Sequence, residues 1–309
     1  MRARKWLVVA GAGLLVVQLV LLGAVPSWAW LTRWWPALAG VLVLLVAVVL
    51  VLRGGGAGEG RPHDWQRTTG LVTALTAVGA LVFTGLSLRS TQQQVAVAEQ
   101  AQLTDRYLRA VEQLANEGEG KVHLRIGGIY ALGRVAVDSP RDQGAVEELL
   151  AAFVRDRSPR HAGSACPETP VDVQAAFAVL ARRAPQGERG LVDLRDTCLT
   201  KVSAPEANLD QVSLAGADLT DANLYHAQMG LTSFVNATLV RVRFDSARFD
   251  AYTFVEGADL TGADLRYADL SGVRLERVNL SGADLTEVKH EHADVSGAIK
   301  NAKTVGAWW

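Results

Sequence analysis

The stretch 258–285 reads ADLTGADLRYADLSGVRLERVNLSGADL. A small residue, a polar residue and a leucine recur every five positions, with Leu260, Leu265, Leu270, Leu275, Leu280 and Leu285 in unbroken phase. A five-residue step turns an α-helix about 140° past a full turn, which scatters the leucines around the cylinder. In a strand, an odd step puts successive leucines on opposite faces. They are buried together only if each unit turns the chain and presents its leucine to one shared axis. Such units bury nothing alone and must stack as a solenoid.

The neighbouring positions agree. Two before each leucine stands Ala258, Ala263, Ala268, Val273, Val278 or Ala283, small enough to fit beside the central side chain. Just before it stands a polar residue, suited to water or to bonding the turning backbone. Upstream the pattern continues through Leu194, Leu199, Leu209, Leu214, Leu219, Leu224, Met229, Phe234, Leu239, Phe244, Phe249 and Phe254. The step from Phe254 to Leu260 is six, which places one inserted residue near Glu256 and Gly257. We expect a bent corner there, with Gly257 absorbing the strain.

This A-(D/N)-L-x-x repetition resembles the pentapeptide-repeat family. The resemblance covers roughly residues 191–300 and implies a right-handed, four-sided β-solenoid with four units per coil. About twenty-one units then make about five coils, a rod ~25 Å long at the ~4.8 Å strand spacing. Leu194, Leu214, Phe234 and Phe254 are expected to stack on one side, and Leu209, Met229 and Phe249 on another. The expected core is Leu209, Leu214, Leu219, Leu224, Phe234, Phe244, Phe249, Phe254, Leu260, Leu265, Leu270, Leu275, Leu280 and Leu285.

The whole chain has 309 residues, is 49% apolar and carries a net charge of −1, which argues against a bulk nucleic-acid binder. The first ninety residues hold the apolar surplus. Residues 6–25 and 35–52 are long enough to span hydrocarbon, with Arg2, Arg4 and Lys5 ahead of the first and Trp28, Trp30 and Trp34 between them. Ser27-Trp28-Ala29 resembles a signal-peptide cleavage site, but the apolar run before it exceeds a usual signal core. A third run, 69–88, is diluted by four threonines and three glycines, so it either spans or lies at the interface. We therefore read 1–88 as a transmembrane region and the chain as a multi-pass membrane protein held by the lipid bilayer. With three spans, the basic residues put the C-terminal part outside; with two, it is cytoplasmic. The side stays open, with a lean to the cytoplasm because the resemblance implies it.

Residues 89–190 read as an α-helical stem, somewhat HEAT-like, with helices over 89–117, 122–137, 144–155 and 172–183. In the first, Leu103, Tyr107, Val111 and Leu114 form one stripe. Residues 122–139 followed by a helix and then repeats resemble bacterial membrane-anchored pentapeptide-repeat proteins. The solenoid with its cap occupies 191–309. Its open ends need covering, by the 172–183 helix at one end and by 298–309, with Trp308 and Trp309, at the other.

No phosphate loop, dinucleotide fingerprint, nucleophile elbow or zincin motif occurs. The carboxylates recur as a regular surface stripe. His290 falls at an inward position and His292 does not, so the pair makes a poor metal site. No cofactor, metal or small-molecule substrate is expected. Cys166 and Cys198 fit no zinc spacing and are read as free thiols; they pair only if the domain is exported. Residues 191–309 hold seventeen Asp and Glu against eleven Lys and Arg. An acidic rod can mimic duplex DNA, as some pentapeptide-repeat proteins do toward DNA topoisomerases, but Arg241, Arg243 and Arg248 interrupt the stripe. The reading is a non-catalytic, membrane-anchored scaffold that binds an unidentified protein, with those three arginines as its candidate surface. The alternatives are a DNA mimic acting on a topoisomerase and an unrecognised activity around Arg125 to Arg134.

Overall fold

In the computed structural model the described residues are 65–183 and 190–309. The chain divides into two compact units, 1–99 and 100–309, each taken by itself. The expected spans at 6–25 and 35–52 lie outside the described residues. Among the described residues no helix is long and apolar enough to cross a membrane. The third expected span, 69–88, is therefore not supported. It falls within one helix, α1 (Trp65–Leu114), that runs on without a break through Arg89 and the three glutamines 92–94. The Thr and Gly that dilute its apolar stretch do not interrupt it.

Within the second unit, the end of α1 packs on a three-helix cap: α2 (Val122–Asp138), α3 (Gln143–Arg157) and α4 (Val171–Leu180). Of the expected stripe, Leu114 is buried and Tyr107 and Val111 partly so, while Leu103 lies outside this core; Ala110, not in the stripe, is buried as well. Gly128 of α2 permits the contact: a Cβ there would stand 2.6 Å from the Ala110 carbonyl oxygen. Between the helices, Arg125 Nε lies 2.7 Å from Asp172 Oδ2, and both side chains are buried. Arg125 also donates to the carbonyls of Asn116 and Gly118, so a single guanidinium ties α2 to α4 and to the turn that ends α1. A buried pair of this kind stands only when such extra bonds satisfy it.

From Val192 the chain coils. Strand β1 (Val192–Asp193) pairs in parallel with β2 (Val212–Ser213), and β3 (Gln228–Met229) with β4 (Arg248–Phe249). Most isolated bridges repeat the same offset of 20 residues, so four five-residue units make one coil; those that span the inserted residue, from Ser233–Phe254 to Arg248–Asp269, are offset by 21, as is Asp284–Val305. The centres and the residues two before them are buried, from Leu194 through Leu285, and join the cap's Val173, Ala176, Phe177 and Leu180 in one core. Phe234, Phe244 and Phe249 meet edge to face inside it, with centroids 5.9 and 5.3 Å apart.

Two after each centre the backbone turns left-handed, from Asp196 to His292, at residues as varied as Leu231, Arg241 and Tyr267. The local cost, of order 1 kcal/mol or more for each non-glycine residue, is overridden by burial of the centres. The series breaks between Ser246 and Gly257.

That break corrects the expected core. Ser233 bridges Phe254, and Phe254 bridges Arg274, so Phe254 occupies an outward position. Val255 takes the centre at 2% exposure while Phe254 is 43% exposed. The six-residue step therefore lies between Phe249 and Val255, not near Glu256. Gly257 is an ordinary corner residue at φ 68°. With Phe244 and Phe249 already filling that coil, the smaller Val255 fits its fourth side. The other thirteen expected core residues are buried.

Candidate interaction surface

The upper edge of the first coil would expose unpaired backbone groups. Each side of it is covered by the cap. Arg155 donates to the Asp193 carbonyl. Ser158 exchanges bonds with Cys198, whose N–H donates to the Ser158 carbonyl at 2.8 Å. Gln174 of α4 donates to Ser203 O and accepts from Ser203 N. Arg183 donates to the carbonyls of Asn208 and Asp210.

The 158–170 connection runs along the second side. Arg160 reaches from it across later coils, to Gly216 O at 2.7 Å and Thr238 Oγ1 at 2.9 Å. Cys166 of this connection is disulfide-bonded to Cys198, with their Cα atoms 5.4 Å apart. The free-thiol expectation is thus corrected: the connection is laid on the solenoid by Thr169 N–H, which donates to the Thr200 carbonyl, and by the Thr200 hydroxyl, which donates to the Pro167 carbonyl, and this brings the two sulfurs together.

At the far end Trp308 stacks on His290 at 4.2 Å between centroids, and Trp309 stands edge-on to Trp308. Both tryptophans pack partly against the core, as a cap requires. His292 lies at a corner, and among the described residues no cluster of His, Cys, Asp or Glu could hold a metal ion.

The three candidate arginines do not form one patch. Arg241 holds Asp221 through two bonds of 2.6 and 2.7 Å, and Arg243 reaches Asp245 at 3.4 Å. Arg248 lies one side further round, between Gln228 and Asp269 in register, and makes no salt bridge. Elsewhere the acidic stripe is also paired. Arg195 holds Asp193 and Arg266 holds Asp264, and these hydrogen bonds keep both carboxyls below their ordinary range; Arg241 does the same for Asp221.

The helical cap contains a cleft of about 670 Å³, walled by Tyr130, Arg134, Val137, Glu147, Val179 and Arg183 among others. Its walls bring together no serine, cysteine or histidine. Arg125 is spent on Asp172.

Residues 197–234 and 256–289 match the family model for pentapeptide repeats, in eight copies. The chain carries a pentapeptide-repeat domain. The match passes over 235–255, the part of the pentapeptide-repeat domain where the frame slips. Solved pentapeptide-repeat structures are similar to it. Rfr23 from the cyanobacterium Cyanothece 51142 is 27% identical over 39% of this chain and 67% of its own, with a TM-score of 0.20. HetL from Nostoc sp. strain PCC 7120, involved in heterocyst differentiation regulation, is 23% identical over 34% and 77%, with a TM-score of 0.18. QnrB1, a plasmid-mediated fluoroquinolone resistance protein, is 19% identical over 36% and 61%, with a TM-score of 0.23. At these TM-scores none of them bears on what this pentapeptide-repeat domain binds. No curated protein matches the chain.

Sequence reasoning missed Gln174, the cysteine pairing and the outward turn of Tyr252 and Phe254. Only the last left a local signal: Val255 and Leu260 are themselves five apart, so the frame could restart at either Phe254 or Val255.

Proposed function

We propose that the chain is a membrane-anchored, non-catalytic scaffold whose pentapeptide-repeat domain displays side chains for binding another protein. The observation that carries this reading is the filled core with both ends capped. What such a rod offers to the outside is its lateral surface. The anchor rests on the apolar runs 6–25 and 35–52 and the basic residues ahead of the first. The Cys166–Cys198 bond favours an oxidising compartment for the repeat domain, against the lean drawn from the family. That placement needs an odd number of crossings after a cytoplasmic N-terminus.

Fractionation tests the anchor. The full chain should stay with membranes through an alkaline wash, and deletion of residues 1–64 should release it; release of the full chain would overturn the anchor. The side is read with a membrane-impermeant maleimide on intact cells, before and after an impermeant reductant. Labelling that appears only after reduction means an exported, bonded pair. Labelling that needs permeabilisation but no reductant means a cytoplasmic domain with free thiols.

The DNA-mimic alternative asks for an uninterrupted acidic face. Salt bridges from Arg195, Arg241, Arg243 and Arg266 disfavour it. Inhibition of gyrase supercoiling by the purified protein would restore it.

A further inference from the structure

Given the scaffold reading, on which this rests, we infer that the docking surface is the corner where the frame slips. The partner is a protein segment carrying an acidic side chain beside an apolar one.

Outward positions of the five-residue frame mostly hold Asp, Asn, Ser, Thr and Arg. At the slip, Tyr252 is 64% exposed and Phe254 43%, and Leu231 occupies the corresponding corner of the preceding coil, also exposed. Aromatic rings held in water in a group mark a surface meant to be covered.

The corner is held in place without a partner. Asp250 Oδ1 accepts from Tyr252 N at 2.9 Å and from Leu231 N at 3.3 Å. Thr253 Oγ1, buried, reaches Met229 O at 2.6 Å and accepts from Asp250 N at 3.0 Å. A corner whose backbone is already fixed loses little freedom on binding. An insertion that re-aims side chains in this way acts as a bulge does in a sheet.

Charge selects the partner. Arg195, Arg241, Arg243, Arg266 and Arg277 of the repeat domain all form salt bridges. Arg248 and Arg274 form none, and these two flank the slip. Arg248 lies four residues before Tyr252, and Arg274 stands in register with Phe254 one coil on. The acids nearest them in register are Asp269 for Arg248 and Asp294 for Arg274; each arginine's charge acts on its aspartate, but neither pair closes into a salt bridge. On a rod with an excess of acids, these two guanidiniums and the rings between them make a place that accepts a carboxylate with an apolar neighbour. The family model passes over 235–255, the segment that holds Tyr252 and Phe254.

The test places a photo-cross-linking amino acid in the full chain, in membranes, at Tyr252 or Phe254, with controls at Asp259 and Asn223 on other sides. Cross-linked peptides are identified by mass spectrometry. Adducts at 252 and 254 should carry a segment with an acid next to an apolar residue. The pair Arg248→Glu and Arg274→Glu should lower their yield about tenfold, the effect of one lost interfacial charge contact. Arg241→Glu should not. Thermal melts of these exposed variants check that each is folded. Adducts only at the control positions would overturn this surface and leave the scaffold reading standing. No adduct at any position would overturn both. Adducts at 252 and 254 with lipid or a second copy of the chain, or yields that ignore the charge reversal, would overturn the stated partner.

Discussion

Gln174 and Ser203 exchange two hydrogen bonds: the carboxamide nitrogen donates to Ser203 O at 2.8 Å, and Ser203 N donates to the carboxamide oxygen at 2.9 Å. One side chain thus imitates the strand that a preceding coil would have supplied. It marks where helix ends and solenoid begins, and it protects the first coil from pairing with another chain. Gln174→Ala should lower stability by about 1 kcal/mol, because water replaces both partners at an accessible site. Gln174→Glu should also weaken the cap, since a carboxylate accepts from Ser203 N but cannot donate to Ser203 O. Thermal melts at low and high protein concentration check both effects, with light scattering reporting edge-to-edge association.

The frame slip makes adjacent residues behave oppositely. Val255→Ser should destabilise the repeat domain by about 2 kcal/mol, through lost apolar burial and a hydroxyl in the core. Phe254→Ser should change the melting temperature much less, because the residue is already 43% exposed. The reverse order would return Phe254 to the core and move the slip to Glu256.

The disulfide closes a loop with a sequence separation of 32. On the chain-entropy account, its removal should cost about 3–4 kcal/mol. Cys166→Ser and treatment with reductant should then lower the denaturant midpoint by the same amount. A variant insensitive to both would show that backbone bonds alone hold the 158–170 connection.

Acid should weaken the repeat domain over a definite range. Arg266 bonds Asp264, Arg195 bonds Asp193 and Arg241 bonds Asp221, and each carboxyl is held below its ordinary value. A carboxyl with a depressed folded pKa adds stability above its unfolded value of about 3.9, and this is lost as pH falls through the folded pKa. Stability should therefore be level from neutrality to about pH 5 and decline below about pH 4. The effect of each exposed pair is small. Arg266→Gln should shrink the decline in pH-dependent melts, whereas a decline centred near neutrality would point to histidine instead.

Left-handed corners store local strain. Tyr267, exposed at φ 60°, should gain up to about 1 kcal/mol on Tyr267→Asn, since Asn accepts that backbone more readily. Gly306→Ala should do the opposite at the last coil, where a Cβ would stand 2.7 Å from the Leu285 carbonyl oxygen. Paired melts of the two variants read both signs.

Sequence alone determined the solenoid, its alternation of buried and outward positions, and thirteen of the fourteen expected core residues from Leu209 to Leu285, Phe254 being the exception. Repetition made this legible: Leu265 or Leu280 could share one axis in no other geometry, and each unit restates the requirement. Ala258, Ala263 and Ala268 restate it again, being small where the coil is narrow. The choice between Phe254 and Val255 was not local, since both satisfy a five-residue step to one neighbour. The volume already taken by Phe244 and Phe249 decided it, and that volume exists only once the coil closes. Cys166 and Cys198 are likewise neighbours only after the 158–170 connection is laid across the second side. Arg248 and Arg274, far apart in the chain and undistinguished among its arginines, flank one aromatic corner because the stack brings successive coils together.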